Sequence, residues 1–147
     1  MQTQTDIHFE FSVPVSAELA FAAIANAKGW WIRNTEGPTA SLGESFIVNF
    51  NAEGSFVRFT VTEAQPGSRL VWHVDDCFLP WFADKTEWNG TDVIFEIAPA
   101  KDGSVVTMVH RGLTPEVECY NLCTTGWEGH FMKSLRKLIE EGTGTPQ

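Results

Sequence analysis

The chain opens with strict alternation. In "IHFEFSV" (7–13), Ile7, Phe9, Phe11 and Val13 share one face and His8, Glu10 and Ser12 the other. That is the pattern of a half-buried strand. Pro14 ends it. Ser16 then stands as N-cap to "SAELAFAAIANA", a helical segment with apolar positions at Leu19, Ala23 and Ile24, flanked by Ala20 and Ala27. Leu19, not Glu, occupies the third helical position, so there is no full capping box. Gly29 is the expected end of the helix.

From Glu44 to Arg111 the period becomes two. "ESFIVNF" groups Phe46, Val48 and Phe50, with a turn at "NAEGS". "FVRFTVTEA" groups Val57, Phe59 and Val61, with a turn at "QPGS". "RLVWHV" groups Leu70, Trp72 and Val74. "DVIFEIA" groups Val93, Phe95 and Ile97, and "VVTMVHR" follows the turn "AKDGS". Short strands punctuated by Gly and Pro predict an antiparallel meander with one aromatic face. The connection "DDCFLPWFADKTEWNG" (75–90) is too long for a tight hairpin and carries Phe78, Leu79, Trp81, Phe82 and Trp88; of these, Trp81 and Phe82 are expected to fold down as a lid on the sheet edge, the alternative being that together they form an exposed apolar patch for a partner or a second subunit. After "GLTP", with Thr114 as cap and Pro115 at the first helical position, the period turns helical again. Trp127, Phe131, Leu135 and Leu138 form a stripe, Gly142 ends the helix, and "GTGTPQ" is expected to fray.

The order of elements is strand, helix, about five antiparallel strands, long helix. An aromatic sheet face must be covered, and the C-terminal helix carries the matching stripe. The prediction is an α+β fold in one domain over 1–147, structured from about 6 to 141, with a curved sheet of about six strands around the C-terminal helix and two short helices after the first strand.

Several stretches together resemble the helix-grip superfamily, which includes lipid-transfer START domains, polyketide cyclases and the birch-pollen allergen. These are the tryptophans Trp30-Trp31 before the Gly-led "LGESF", the run "SRLVWHV", the hairpin "GTDVIFEIAPAKDGSVVTMVHRGL" and the Gly-Trp opening of "TTGWEGHFMKSLRKLIE". The closer resemblance is to the branch named after the C-terminal domain of the activator of heat-shock-protein-90 ATPase. It implies a space between sheet and helix that is often a ligand cavity, and a small hydrophobic molecule as partner. A chaperone partner or a second copy of the chain is the alternative, with a cyclase- or hydrolase-like enzyme using a cavity histidine as a further one. No cofactor is implied.

Charge narrows the partners. Nineteen acidic against ten basic residues give a net charge of −9, which repels a phosphate backbone and an anionic membrane surface. Three cysteines cannot complete a disulfide framework, the first residues show neither a basic nor an apolar targeting region, and no apolar run is long enough for a bilayer. The expectation is a cytoplasmic protein.

The expected ligand-binding residues are Trp31, Phe46, Phe50, Phe59, Trp72, Phe95, Trp127, His130 and Phe131. In "NAKGWWIRNTEG" adjacent tryptophans must point in different directions. Trp31 is expected to pack under the C-terminal helix and close the cavity, and Trp30 to lie over the helix end or the neighbouring loop. His110 shares a face with Met108, and His73 alternates away from Trp72. Cys119 and Cys123, four apart on a possible helix, could share a face, but CxxC and HExxH pairings are absent and no metal site is predicted. Asp75 and Asp76 are expected at a strand end, pointing apart. No catalytic residue is assigned.

Overall fold

The computed structural model describes residues 6–50, 54–115 and 119–147. Among them, seven strands make one antiparallel sheet: β1 (Ile7–Val13), β2 (Thr35–Glu36), β3 (Ser45–Asn49), β4 (Phe56–Gln65), β5 (Arg69–Phe78), β6 (Asp92–Ala100) and β7 (Gly103–Arg111), in the spatial order β1-β7-β6-β5-β4-β3-β2. Two short helices, α1 (Ala17–Ala25) and α2 (Ala27–Trp30), follow β1. The C-terminal helix runs without a break through α3 (Tyr120–Trp127), a π-helical stretch (Glu128–Leu135) and α4 (Arg136–Glu141). This is the α+β helix-grip architecture.

The register shows why one face is aromatic. Phe46 pairs with Phe59, Leu70 with Phe95, and Phe95 with Met108. Period-two sequences brought into these pairings stack large apolar side chains row on row, on the side that faces the helix. Two register shifts, between Arg58/Phe59 and Val61/Glu63, interrupt the β4–β5 ladder. Such bulges bend a strand and increase its twist, which curves the sheet around its cover. The outer face is polar. There, Asp92 accepts from His73 Nδ1 at 2.8 Å and from Arg111 Nη2 at 2.8 Å.

Several boundaries differ from the sequence reading, each for a local reason. A seventh strand, β2, pairs Thr35 with Val48; two residues carry no readable alternation. β5 continues through Asp75 and Asp76 to Phe78, because Val57 and Phe56 of β4 pair with Cys77 and Phe78. Ser16 does cap α1, its Oγ accepting from the Leu19 amide at 3.2 Å. The buried face, however, is Ala17, Ala20, Phe21 and Ile24, while Leu19 is 63% exposed. The helix breaks at Asn26 (φ −89°, ψ 68°), so Gly29 lies inside α2. Thr114 and Pro115 stand outside the C-terminal helix. Residues 116–118 and part of the "NAEGS" turn lie outside the described residues.

Gly142 ends the last helix in the left-handed conformation (φ 84°), the geometry glycine adopts without a steric penalty. Beyond it, the tail is docked instead of frayed. The Gln147 amide donates to Trp31 O (2.9 Å), and the Arg33 amide donates to Gln147 O (2.7 Å). Ser134 Oγ accepts from the Thr145 amide at 2.8 Å and donates to Trp30 O at 2.6 Å. Gly144 makes the crossing feasible: a Cβ there would lie 2.4 Å from Gly29 O and 3.0 Å from Ser134 O. Both obstacles are backbone and cannot swing aside. Gly144→Ala is therefore expected to undock the tail, raising amide exchange at Arg33 and Gln147 at least tenfold while leaving exchange in β5 and β6 unchanged. Unaltered protection at Arg33 would show that the tail does not need this close approach.

Candidate functional site

A cleft of about 640 Å³ opens beside the first half of the C-terminal helix, within the ~300–1,000 Å³ typical of small-molecule sites. Three segments build it. The chain leaving α2 supplies Trp31, Ile32, Arg33 and Asn34. The 79–91 connection supplies Leu79, Trp81, Phe82 and Trp88. The helix supplies Cys123, Trp127 and His130, with Leu122 at the mouth. Asn49 and Phe50, at the end of β3, close the side next to the tail.

The long connection explains the cleft. Leu79, Phe82 and Trp88 are buried, whereas Trp81 is 43% exposed and stands edge-on to Phe50, ring centroids 5.7 Å apart. The loop thus covers the open end of the sheet without filling it. The helix contributes a change of winding. Trp127, Phe131 and Leu135 recur every four residues, a spacing that drifts around a 3.6-residue α-helix. The i→i+5 hydrogen bonding of a π-helix widens the turn. All three are buried, while His130 remains on the cleft side.

The nine residues expected to bind ligand divide into two groups. Trp31, Phe50, Trp127 and His130 line the cleft. Phe46, Phe59, Trp72, Phe95 and Phe131 do not: they are at most 1% exposed and packed ring against ring. Phe46 lies 4.9 Å from Phe59 and 5.0 Å from Trp72, Trp72 lies 4.9 Å from Phe95, and Phe131 lies 4.9 Å from Phe11. These separations are those of ordinary aromatic packing. The space directly between sheet and helix is therefore core.

Trp31 stands at the border. Its ring is 4.9 Å from Trp127 and 5.8 Å from Phe59, it stacks within 10° of the Trp72 plane, and it forms part of the cleft wall. Trp30, expected over the helix end or the neighbouring loop, reaches the end of α1 but is fully enclosed in the core. Its edge meets Phe95, and its Nε1 donates to Ile24 O at 3.0 Å.

The histidines differ sharply. His110 is fully buried, and both ring nitrogens are engaged. Trp127 Nε1–H donates to Nδ1 at 3.0 Å, so the proton sits on Nε2, which donates to Thr91 Oγ1 at 2.9 Å; Thr91 in turn donates to Trp88 O at 2.7 Å. Burial pushes its pKa down to about 3, against the opposite pull of Asp92. A neutral imidazole with both nitrogens occupied and no contact with the cleft is a tether for Trp127 and the loop. His130 lines the cleft and its ring makes no hydrogen bond among the described residues; burial lowers its pKa.

Cys119 and Cys123 do meet. The hydrogen bond to Cys123, together with burial, holds the Cys119 thiol far above its usual pKa, and a protonated thiol is a poor nucleophile and metal ligand. Among the described residues no group of three or more His, Cys, Asp and Glu side chains is placed to hold a metal ion. No helix among them is long and apolar enough to cross a membrane.

Sequence reasoning did not single out Arg33, Asn34 and Asn49 as site residues. They follow or flank hydrophobic signals and carry no periodicity of their own. Only the path of the chain from α2 to β3 brings them to the cleft.

Comparison with known proteins decides the family. The sequence matches the family described as Activator of Hsp90 ATPase homolog 1-like protein over residues 14–140. The chain belongs to this family. Among solved structures, the Aha1 dimer from Colwellia psychrerythraea is similar with a TM-score of 0.76 and 21% identity, covering 95% of this chain and 99% of that one. A protein from Staphylococcus saprophyticus gives 0.70 and 15%, covering 96% of both chains. DynU16, from the dynemicin biosynthetic locus, gives 0.71 and 17%, covering 97% of this chain but 49% of its own length. At these identities the likeness concerns the fold. Among curated proteins there is no match. Membership in the Hsp90-ATPase-activator-like family fits a ligand-binding or interaction module.

Proposed function

We propose that the chain binds a small hydrophobic molecule in the cleft walled by Trp31, Phe50, Trp81, Trp88 and Trp127. The observation that carries this reading is an open, aromatic cleft of about 640 Å³ beside a core that is already full. Evolving a stable fold requires filling the core; it does not require an aromatic-walled recess beside it, with Trp81 left 43% exposed at the rim. Burying roughly 200 Å² of ligand apolar surface at ~25 cal/mol per Å² would contribute about 5 kcal/mol before the costs of association, so binding tighter than about a millimolar needs the polar groups of the cleft as well.

The test is a titration with 1-anilinonaphthalene-8-sulfonate and with N-phenylnaphthylamine, read by two-dimensional NMR of the indole N–H signals. Shifts in Trp31, Trp81 and Trp127 but not in Trp72 are expected, because Trp72 is sealed and its Nε1 donates to Thr39 O at 3.0 Å. A titration that leaves every indole unmoved, with no increase in melting temperature, would remove the reading.

A second reading rests on Trp81 and Leu122, 43% and 59% exposed at the mouth of the same cleft. Paired apolar residues at a rim are suited to a protein partner or a second copy of the chain; the Colwellia relative is described as a dimer. Sedimentation of the wild type and Trp81→Glu separates the readings, since only an interface at this rim makes the mass depend on Trp81. An acid–base enzymatic reading would have to rest on His130, because both nitrogens of His110 are occupied.

A further inference from the structure

The cleft is electrostatically unlike the rest of the molecule. Asp and Glu outnumber Lys and Arg nineteen to ten along the chain, yet among the described residues no Asp or Glu side chain lines the cleft, while Arg33 and His130 do, together with Gln147. The Arg33 side chain makes no ion pair or hydrogen bond among the described residues, although its backbone is pinned to Gln147. Glu36 comes near the rim, where it accepts from Asn49 Nδ2 at 3.1 Å, but it is not part of the lining. The apolar wall has a shape preference as well. Trp88 and Trp127 lie within 15° of parallel, Trp31 is tilted 37° from Trp127, and aliphatic side chains are a minority.

From these features we infer that the ligand is a flat aromatic anion, its ring system against the indoles and its carboxylate at Arg33. Indole faces favour offset stacking of a planar ring over a flexible chain. A guanidinium offers a carboxylate two parallel N–H donors, which an ammonium or a neutral amide does not. An alcohol of the same shape would leave the arginine unpaired, and an amine would face it with like charge. This inference rests on the cleft being the binding site, and it adds the chemical class.

The experiment compares 2-naphthylacetate with 2-(2-naphthyl)ethanol, 2-(2-naphthyl)ethylamine and decanoate, by calorimetry and indole NMR at low ionic strength. The acid is expected to bind at least tenfold tighter than the alcohol and decanoate, and the amine to bind weakest. Arg33→Gln should abolish the advantage of acid over alcohol, and Arg33→Lys should restore part of it. If acid and alcohol bind equally at the indoles, the anionic class is wrong and the cleft reading stands. If decanoate matches the naphthyl acid, the flat-ring requirement is wrong. If the acid keeps its advantage in Arg33→Gln, the assignment to Arg33 is wrong. If none of the four moves an indole signal, the cleft reading fails together with this one.

Discussion

Replacing His110 with alanine is expected to destabilise the fold by about 3–5 kcal/mol and to flatten its response to acid. The substitution leaves a cavity in a fully packed region, and truncations of large buried side chains cost ~2–5 kcal/mol. It also removes the acceptor of Trp127 Nε1 and the donor to Thr91, and an orphaned buried polar group costs ~1–3 kcal/mol. The pH effect follows from the low pKa, about 3 in the fold against about 6.5 for an unperturbed histidine. Between these values the unfolded chain takes up a proton that the folded protein refuses. Stability from this group is therefore complete above about pH 6.5 and lost as pH falls, at ~1.4 kcal/mol per unit. Urea unfolding at pH 7 and pH 5 should show a loss of about 2 kcal/mol in the wild type. In His110→Ala this contribution should vanish, leaving the loss from His130, whose pKa burial also lowers, and the carboxylate titrations at lower pH. An unchanged difference between the two pH values would mean that His110 is not the source.

Trp31→Ala is the second large effect. Trp31 separates the packed core from the cleft, touching Trp30, Phe59, Trp72 and Trp127 on one side and Phe50 on the other. Its removal should cost about 3–5 kcal/mol, a fall in melting temperature of roughly 10 °C for a chain of this size. The void would join the cleft, so a hydrophobic probe such as N-phenylnaphthylamine should recover more melting temperature in the variant than in the wild type. Trp72→Ala is the control. It should lose similar stability, but its void lies behind Trp31 and should give less recovery. Equal recovery in both variants would show that Trp31 is not the partition.

The two tryptophans illustrate how far sequence reasoning reaches. Their adjacency requires that they point in different directions, and in the structure they do. Trp30 turns into the core, where its Nε1 finds Ile24 O, and Trp31 turns toward Trp127. That both would be buried could not be read from adjacency, because it depends on Ser134 reaching Trp30 O and on the tail returning to Trp31 O, 104 and 116 positions along the chain. The same holds for the tail. Its glycines and threonines looked like a frayed end, but Gly144 is the residue that lets two backbones touch.

Alternation and helical spacing by themselves determined the order of elements apart from β2, the aromatic inner face of the sheet, the shared face of His110 and Met108 and the glycine end of the last helix, because period, capping and turn chemistry are local properties. Only the tertiary structure decided that the centre of the grip is full and that the open space lies to one side, beneath Trp81. Periodicity states which face a residue takes, whereas an empty volume depends on how closely two faces approach. Here that distance is set by the seating of the 79–91 connection, the π-helical winding and the docked tail, none of which has a period to read.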